Sequence, residues 1–453
     1  RQFIAAGLPV AMGGFHAAGC LSMLPVVPPE IQAAMDMGVS IFAGEAEEGR
    51  LDEILQHAWN GTLKPLYNYM DDLPGIERAP TPRLPPAALA RNEGRKSSFD
   101  LGRGCPFQCS FCTIINVQGR KSRFRNADDL EDIVRENYKQ GITSFFITDD
   151  NMARNKHWED FFDRLIELKE NEGIAVSLII QVDTQCHRIP RFIEKARWAG
   201  VYRVFIGLEN VNPDNLLAAK KRQNKITEYR KMLLEWKRVG IMTFAGYILG
   251  FPNDTPDSIR HDLEIIKKEL PLDALEFFVL TPLPGSEDHK VLYEKNVWMD
   301  PDLNKYELEH VVTDHPKMTR EEWQGAYRSA WDIFYTDDHL ETIMRRAAAT
   351  GINIRSLMPV LMWFSSAVLI ENVHPLQWGI FRVRHRKDRR HGLPIESPLA
   401  FYPRYAADMA TKAAKLAKRW LHLKSILKKI EADPNAKSYF DAALTAVADE
   451  DAE

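Results

Sequence analysis

Three cysteines fall within eight residues of one another, in the run Gly102-Arg103-Gly104-Cys105-Pro106-Phe107-Gln108-Cys109-Ser110-Phe111-Cys112. Thiolates spaced C-x3-C-x2-C on one loop can hold three irons of a cubane iron–sulfur cluster and leave the fourth iron without a protein ligand. An open coordination position is what separates a reactive metal centre from a closed structural one. Gly102 and Gly104 let such a loop wrap closely around a bulky group. Structural zinc is the plainer alternative; it needs a fourth ligand, and Cys186 and His187 are the candidates. With five cysteines in 453 residues, a disulfide scaffold is excluded, and the clustering points to metal.

A loop of this kind needs a scaffold that presents it. From about residue 98 to about 289 an apolar strand pattern recurs roughly every 30 residues: Ser98–Gly102, Ile142–Thr148, Ala175–Gln181, Tyr202–Gly207, Met242–Ile248 and Ala274–Leu280. Helical patterns alternate with them, at Asp128–Lys139, Trp158–Asn171, Pro190–Ala199, Lys225–Arg238 and Thr255–Glu269. Six βα units imply a parallel sheet. Near-continuous apolar strands such as Ser144-Phe145-Phe146-Ile147 suit burial on both faces. The pattern predicts a partial (β/α)6 barrel, whose chemistry sits at the strand C-termini. Polar residues cluster there: Thr148-Asp149-Asp150-Asn151 after the second strand, Gln181 and Asp183 after the third, Glu209 after the fourth and Thr281 after the sixth. Each also has a structural use, with Asp149 or Asp150 capping the next segment and Glu209 pairing with Arg203 or Lys220.

Residues 1–78 read as the back half of a doubly wound α/β domain. A strand ends at Gly13-Gly14, a helix covers Pro29–Met37, the strand Val39–Ala43 ends at Gly44-Glu45, and an amphipathic helix covers Gly49–Trp59. The chain opens on Arg1, and a strand so near the start raises the expectation of a preceding segment. Residues 79–97, with Pro80, Pro82, Pro85 and Pro86, read as a linker. Residues 98–300 make the barrel domain, and 301–453 turn mainly helical. There Thr319 opens a capping box, Arg382–Arg390 is a basic run, Ala406–Ala432 is a basic amphipathic helix and Asp449–Glu453 is acidic. The net charge of −4 gives no reason to expect nucleic acid. No apolar run is expected to reach membrane-spanning length; the longest, Leu357–Ile370, is interrupted by Pro359, Ser365 and Ser366. Together with the lack of a signal peptide, this predicts a cytoplasmic protein.

The cysteine spacing, with an aromatic residue before the last cysteine and a six-unit barrel around it, resembles the radical S-adenosylmethionine superfamily over residues 98 to about 289. The resemblance implies a 4Fe–4S cluster on Cys105, Cys109 and Cys112. It also implies that S-adenosylmethionine binds the open iron and is cleaved to a 5′-deoxyadenosyl radical. Phe111, Asp149, Asp150, Asn151, Gln181, Glu209, Gly246, Ile248 and Thr281 would contact that cosubstrate. The N-terminal fragment resembles the second half of a cobalamin-binding domain, with Gly13, Gly14, Phe15, Gly44 and Glu45 against the cofactor; His16 is not placed as a cobalt ligand. A domain without cofactor, kept only to pack on the barrel, is the alternative there. The combination resembles cobalamin-dependent radical S-adenosylmethionine enzymes, which implies methyl transfer to an unactivated carbon of a small or lipid-like molecule. It also implies an electron donor such as flavodoxin or ferredoxin. Leu357–Ile370 followed by Arg382–Arg390 has two readings, a membrane-surface feature or a core helix beside a solvated charged face, and the short basic run without interleaved aromatics predicts no nucleic-acid partner. Radical cyclisation, rearrangement or oxidation without methyl transfer is the second reading, and a non-catalytic metal-stabilised binding protein the third.

Overall fold

The computed structural model describes residues 1–80, 83–91, 95–377, 382–390 and 392–447. Parts of the expected linker (81–82 and 92–94) and the acidic tail Asp449–Glu453 lie outside the described residues.

The N-terminal sheet has three parallel strands in sequence order: β1 (Val10–Met12), β2 (Val39–Ala43) and β3 (Leu66–Asn68). Helices α1 (Phe15–Met23), α2 (Pro29–Asp36) and α3 (Arg50–Asn60) accompany it. Pro29 at the first helical position of α2 starts that helix at no cost, since its missing N–H would have had no partner there. Residues 1–78 thus contain the expected elements plus a helical turn at Gln2–Ala5, α1 and β3.

The second sheet has six parallel strands: β4 (Lys96–Phe99), β5 (Ser144–Ile147), β6 (Ser177–Val182), β7 (Val201–Glu209), β8 (Met242–Leu249) and β9 (Ala274–Val279). They pair in unbroken chain order, all parallel. The longer helices between them are α4 (Ala127–Lys139), α5 (Trp158–Glu172), α6 (Phe192–Trp198), α7 (Tyr229–Arg238) and α8 (Pro256–Glu269). Two start on reciprocal capping boxes, Asn126 with Asp129 and Thr255 with Ser258. The first barrel strand lies two residues earlier than expected. Asp100-Leu101 leaves the sheet, and Gly102–Arg103 pairs instead with Arg123–Phe124 in a two-stranded antiparallel ribbon that brackets the cysteine loop.

Beyond α9 (Glu287–Glu294) the chain is helical: α10 (Arg320–Phe334), α11 (Asp337–Ala349), α12 (Ile354–Ser366) and α13 (Pro398–Glu431). The expected capping box of Thr319 with Glu322 is present. This region closes the free edge of β9, whose backbone groups would otherwise be open to another strand. Tyr335 Oη accepts from Leu275 N at 3.0 Å and donates to Leu275 O at 2.7 Å. A His374 ring nitrogen sits 3.2 Å from Phe277 O, and Val279 N donates to Leu308 O at 2.7 Å.

One expectation is corrected. Ile354–Glu371, 18 residues long, has the length and composition to cross a membrane. Half of it is buried inside the fold, with Leu357, Leu361 and Phe364 in the main core, so its apolar character is used in packing. The interruptions at Pro359 and the two serines do not break it, because Ser365 and Ser366 are themselves buried. The basic run is partly neutralised: Arg389 pairs with Glu396, and Arg390 with Asp302 at 2.6 Å.

Candidate functional site

The cysteine loop lies at the carboxyl end of the six-stranded sheet. Gly104 adopts φ +88°, and a Cβ there would meet Gly119 O at 2.7 Å, so the loop requires glycine at this point. Cys105 N donates to Gly119 O, Cys112 N to Cys109 O and Ser110 N to Ala219 O. The three sulfurs lie within electrostatic reach of one another. Among the described residues, the sets of three ligand atoms gathered within 4.8 Å are elsewhere in the chain. A single zinc ion would draw its sulfurs that close, whereas a cubane spreads them over three irons. Burial pushes the Cys112 thiol up to about 12 and raises Cys105 as well. These sulfurs ionise only against a cationic partner, which iron coordination supplies. Cys186 is fully buried in the main core, and His187 is held by Glu228 at 2.9 Å. Neither is free to complete a zinc site, so the donor set fits the cluster.

A cavity of about 250 Å³ ends on Cys112. Four residues expected from sequence, Phe111, Glu209, Ile248 and Thr281, line it together with Phe278, Leu283 and Leu308. Gly246 lies below it on β8, where a Cβ would press on the Phe205 and Phe278 rings at 2.9 and 3.1 Å. Glu209 holds φ +66° at the end of β7, and Leu308 holds φ +78°; such conformations are costly in non-glycine residues and gather at ligand sites. Glu209 pairs with Lys221, not with the expected Arg203 or Lys220. Gly207 makes that pairing possible, since a Cβ there would come within 2.8 Å of the Glu209 carboxylate. Burial alone would lower the Lys221 ammonium, but the Glu209 carboxylate and the sulfurs of Cys109 and Cys112 outweigh it and hold its pKa above the ordinary range. Lys221 also lies over the Phe111 ring at 5.7 Å, and Gln223 Nε2 donates to Cys109 Sγ at 3.5 Å. Neither Lys221 nor Gln223 was expected from sequence; both sit on the loop after β7, where nothing in a linear pattern marks them.

The other expected side chains are committed to the scaffold. Asp149 is fully buried and fastens the cysteine loop. Its Oδ1 accepts from Leu101 N at 2.6 Å and Gly102 N at 2.9 Å, and its Oδ2 from Asn155 at 3.0 Å. Both carboxylate oxygens of Asp149 are thus engaged within the chain. Asn151 donates to Asp183 at 2.8 Å, and Gln181 donates to the Asp149 carbonyl at 3.3 Å. Asp183 also takes two hydrogen bonds from Arg154. Asp150 is not so tied and lies within electrostatic reach of the sulfurs of Cys105 and Cys112. Burial, and then Asp149, pushes its carboxyl up to about 7.

The N-terminal glycines are at the ends of their strands as expected. Gly14 (φ +99°) leads into α1, and at Gly44 (φ +129°) a Cβ would strike Tyr69 at 2.9 Å. Phe15 is half exposed. The Glu45 side chain is engaged elsewhere, pairing with Arg103 at 2.6 Å and with Arg123 at 2.5 Å. Arg103 reaches Glu47 at 2.7 Å and Asp100 at 2.6 Å as well. The end of β2 is thereby bolted to the residues that introduce the cysteine loop.

Residues 100–266 match the Radical SAM superfamily. The match is confined to the barrel region and includes the cysteine loop. A 4Fe–4S cluster and S-adenosylmethionine are what that likeness implies. Among curated relatives, the chain is 27% identical over 332 residues to the bacteriochlorophyllide d C-8(2)-methyltransferase of Chlorobaculum tepidum, covering 69% of this chain and 68% of that protein. It is 27% identical over 192 residues to the hopanoid C-2 methylase of Rhodopseudomonas palustris, covering 41% of this chain and 36% of that one. The fold is shared with a radical S-adenosylmethionine methyltransferase, TsrM from Kitasatospora setae, solved with cobalamin and a [4Fe-4S] cluster bound. The TM-score is 0.56 at 15% identity, covering 79% of this chain and 81% of that one.

Proposed function

We propose that this protein is a cobalamin-dependent radical S-adenosylmethionine methyltransferase that methylates an unactivated carbon of an apolar, lipid-like or polycyclic small molecule. The observation that carries the reading is the cavity joining Cys112 to Phe111, Glu209, Ile248 and Thr281 at the mouth of the six-stranded sheet. When bound, the cluster and the corrinoid supply the radical and methyl-transfer chemistry. Cys105, Cys109 and Cys112 hold the cluster, and Lys221 and Gln223 offset the negative charge of its sulfurs. The Glu209 carboxylate, fixed by Lys221, is placed to accept hydrogen bonds from a ribose. Ile248, Phe278, Leu283 and Leu308 exclude water from the space beside Cys112, which limits quenching of a reactive intermediate. Gly14, with nothing within 4 Å of where a Cβ would stand, leaves backbone open for the nucleotide tail of a corrinoid, while Gly13 and Gly44 let the strand ends pack on Phe42 and Tyr69. The names of the relatives, which act on a bacteriochlorophyllide and a hopanoid, and the apolar lining favour a substrate of that class. A cytoplasmic setting, a flavodoxin- or ferredoxin-type electron donor and contact with a membrane surface through the C-terminal region belong to the same reading.

The test is anaerobic reconstitution with iron, sulfide and cobalamin, followed by addition of reductant and S-adenosylmethionine. The expected result is release of 5′-deoxyadenosine, its loss in Cys105→Ala, and a product heavier by one methylene. Deoxyadenosine without mass gain would replace methyl transfer by cyclisation or rearrangement. Zinc without iron or sulfide would leave a metal-stabilised binding protein.

A further inference from the structure

Helix α1 carries His16 and Cys20 four residues apart, so they lie one above the other on the same face. That face meets Glu30 of α2. A His16 ring nitrogen, Nε2, is 4.0 Å from Cys20 Sγ and 3.3 Å from Glu30 Oε1. Nitrogen, sulfur and carboxylate oxygen all lie within 4.8 Å of one another. A tetrahedral zinc, with bonds of about 2.05 Å to nitrogen and oxygen and about 2.3 Å to sulfur, sets the N–O edge at about 3.3 Å and the N–S edge at about 3.6 Å. The first edge is already met, and the second is about 0.4 Å long, within reach of a side-chain rotation.

A second observation comes from a different part of the chain. His289, in the first turn of α9, is 8% exposed. Its Nδ1 is enclosed and has no hydrogen-bond partner; the ring lies within electrostatic reach of both His16 and Glu30, though its nitrogens stand outside the 4.8 Å set formed by the other three. The two segments are already fixed against each other. A Cβ at Gly19 would meet Pro284 O at 2.6 Å, so α1 lies in backbone contact with the loop leading into α9.

We propose that His16, Cys20 and Glu30, joined by the His289 imidazole turning toward them, form a closed, four-coordinate Zn²⁺ site at the seam between the N-terminal domain and the barrel. Two imidazoles, a thiolate and a carboxylate suit zinc rather than the oxygen-seeking Mg²⁺ or Ca²⁺. With four protein ligands the site has no open position and is structural. The ion would join α1 and α2 to α9, and so hold the N-terminal domain in place over the cysteine loop.

The probe is Zn²⁺ added to the full-length, cluster-loaded protein, with zinc and iron quantified after gel filtration. One zinc per chain is expected beyond the cluster iron, and it is retained when Cys105, Cys109 and Cys112 are all replaced by alanine. Zinc affinity falls at least ~10-fold in Cys20→Ser and in His289→Ala, and zinc-edge X-ray absorption reports one sulfur among four ligands. Glu30→Gln, on an exposed side chain, gives a folded variant with weakened zinc binding should the buried substitutions unfold the domain. Zinc that disappears with the cluster cysteines, stays well below one per chain, or binds Cys20→Ser and Glu30→Gln as tightly as the parent overturns the proposal.

Discussion

At the carboxyl ends of β4, β5 and β6, side chain after side chain is engaged by another part of the chain: Asp149 by two loop amides, Asn151 and Arg154 by Asp183, and Gln181 by the Asp149 carbonyl. At the ends of β7, β8 and β9 the walls are apolar, two residues hold strained backbone, and a cavity remains. The first half is a clamp that fixes the cysteine loop, and the second is a receptacle. An unfilled apolar cavity therefore sets the second half apart more clearly than polar character at the strand ends does.

The sharpest way to break this contrast is Asp149→Ala. It leaves the buried amides of Leu101 and Gly102 without partners, at ~1–3 kcal/mol each. The expected loss is ~2–6 kcal/mol in chemical denaturation, together with a fall in iron bound per chain; unchanged stability and iron content would remove the clamp. Lys221→Met comes next. Stranding one partner of a buried ion pair costs ~3–5 kcal/mol, but Glu209 keeps some contact with solvent, so ~1–3 kcal/mol is expected. Adding Glu209→Gln should restore stability but not S-adenosylmethionine affinity, measured by calorimetry. Recovery of both would reduce the pair to a structural role.

The smallest effect is a slope. Glu276 on β9 is buried without a partner for its Oε1, and burial lifts its carboxyl to about 8 from an ordinary value of 4.5. His374, 3.7 Å away, is pushed down to about 4 by burial and adds no positive charge near neutrality. Between those two Glu276 values the folded chain keeps a proton that the unfolded chain has released. Its contribution to stability is therefore whole below about 4.5 and is lost as pH rises to about 8. Melting temperatures of Glu276→Gln should decline less across that window than those of the parent, and parallel profiles would contradict the assignment.

Much of this architecture is legible because buried parallel strands announce themselves as apolar runs. β8 is buried along nearly its whole length, and its end lies one residue beyond the one expected from sequence. β4 overlaps its expected bounds only at Ser98 and Phe99, because Lys-Ser-Ser-Phe carries almost no apolar signal and is defined by its pairing with β5. Helix α1 escapes sequence reading for the opposite reason: Ala17, Ala18, Gly19 and Cys20 are buried in succession, so the helix has no polar face to give it a period. β3, three residues long beside Pro65, is too short to read. At the site, the cysteines and the cavity residues Phe111, Glu209, Ile248 and Thr281 can be found from motif and strand ends. Which aspartate lies within reach of the sulfurs and which ties the loop depends on side-chain direction, and the Lys221 contact depends on how a loop folds back.

Arg103 precedes the first cysteine by two residues and, with Arg123, grips Glu45 and Glu47 at the end of β2. Swinging the N-terminal domain aside would strand both guanidinium groups, each mostly shielded from water, and drag the cysteine loop along. The end of β2 and the cysteine loop are therefore tied to move as one body, and any change that removes the Arg103 guanidinium acts on both at once.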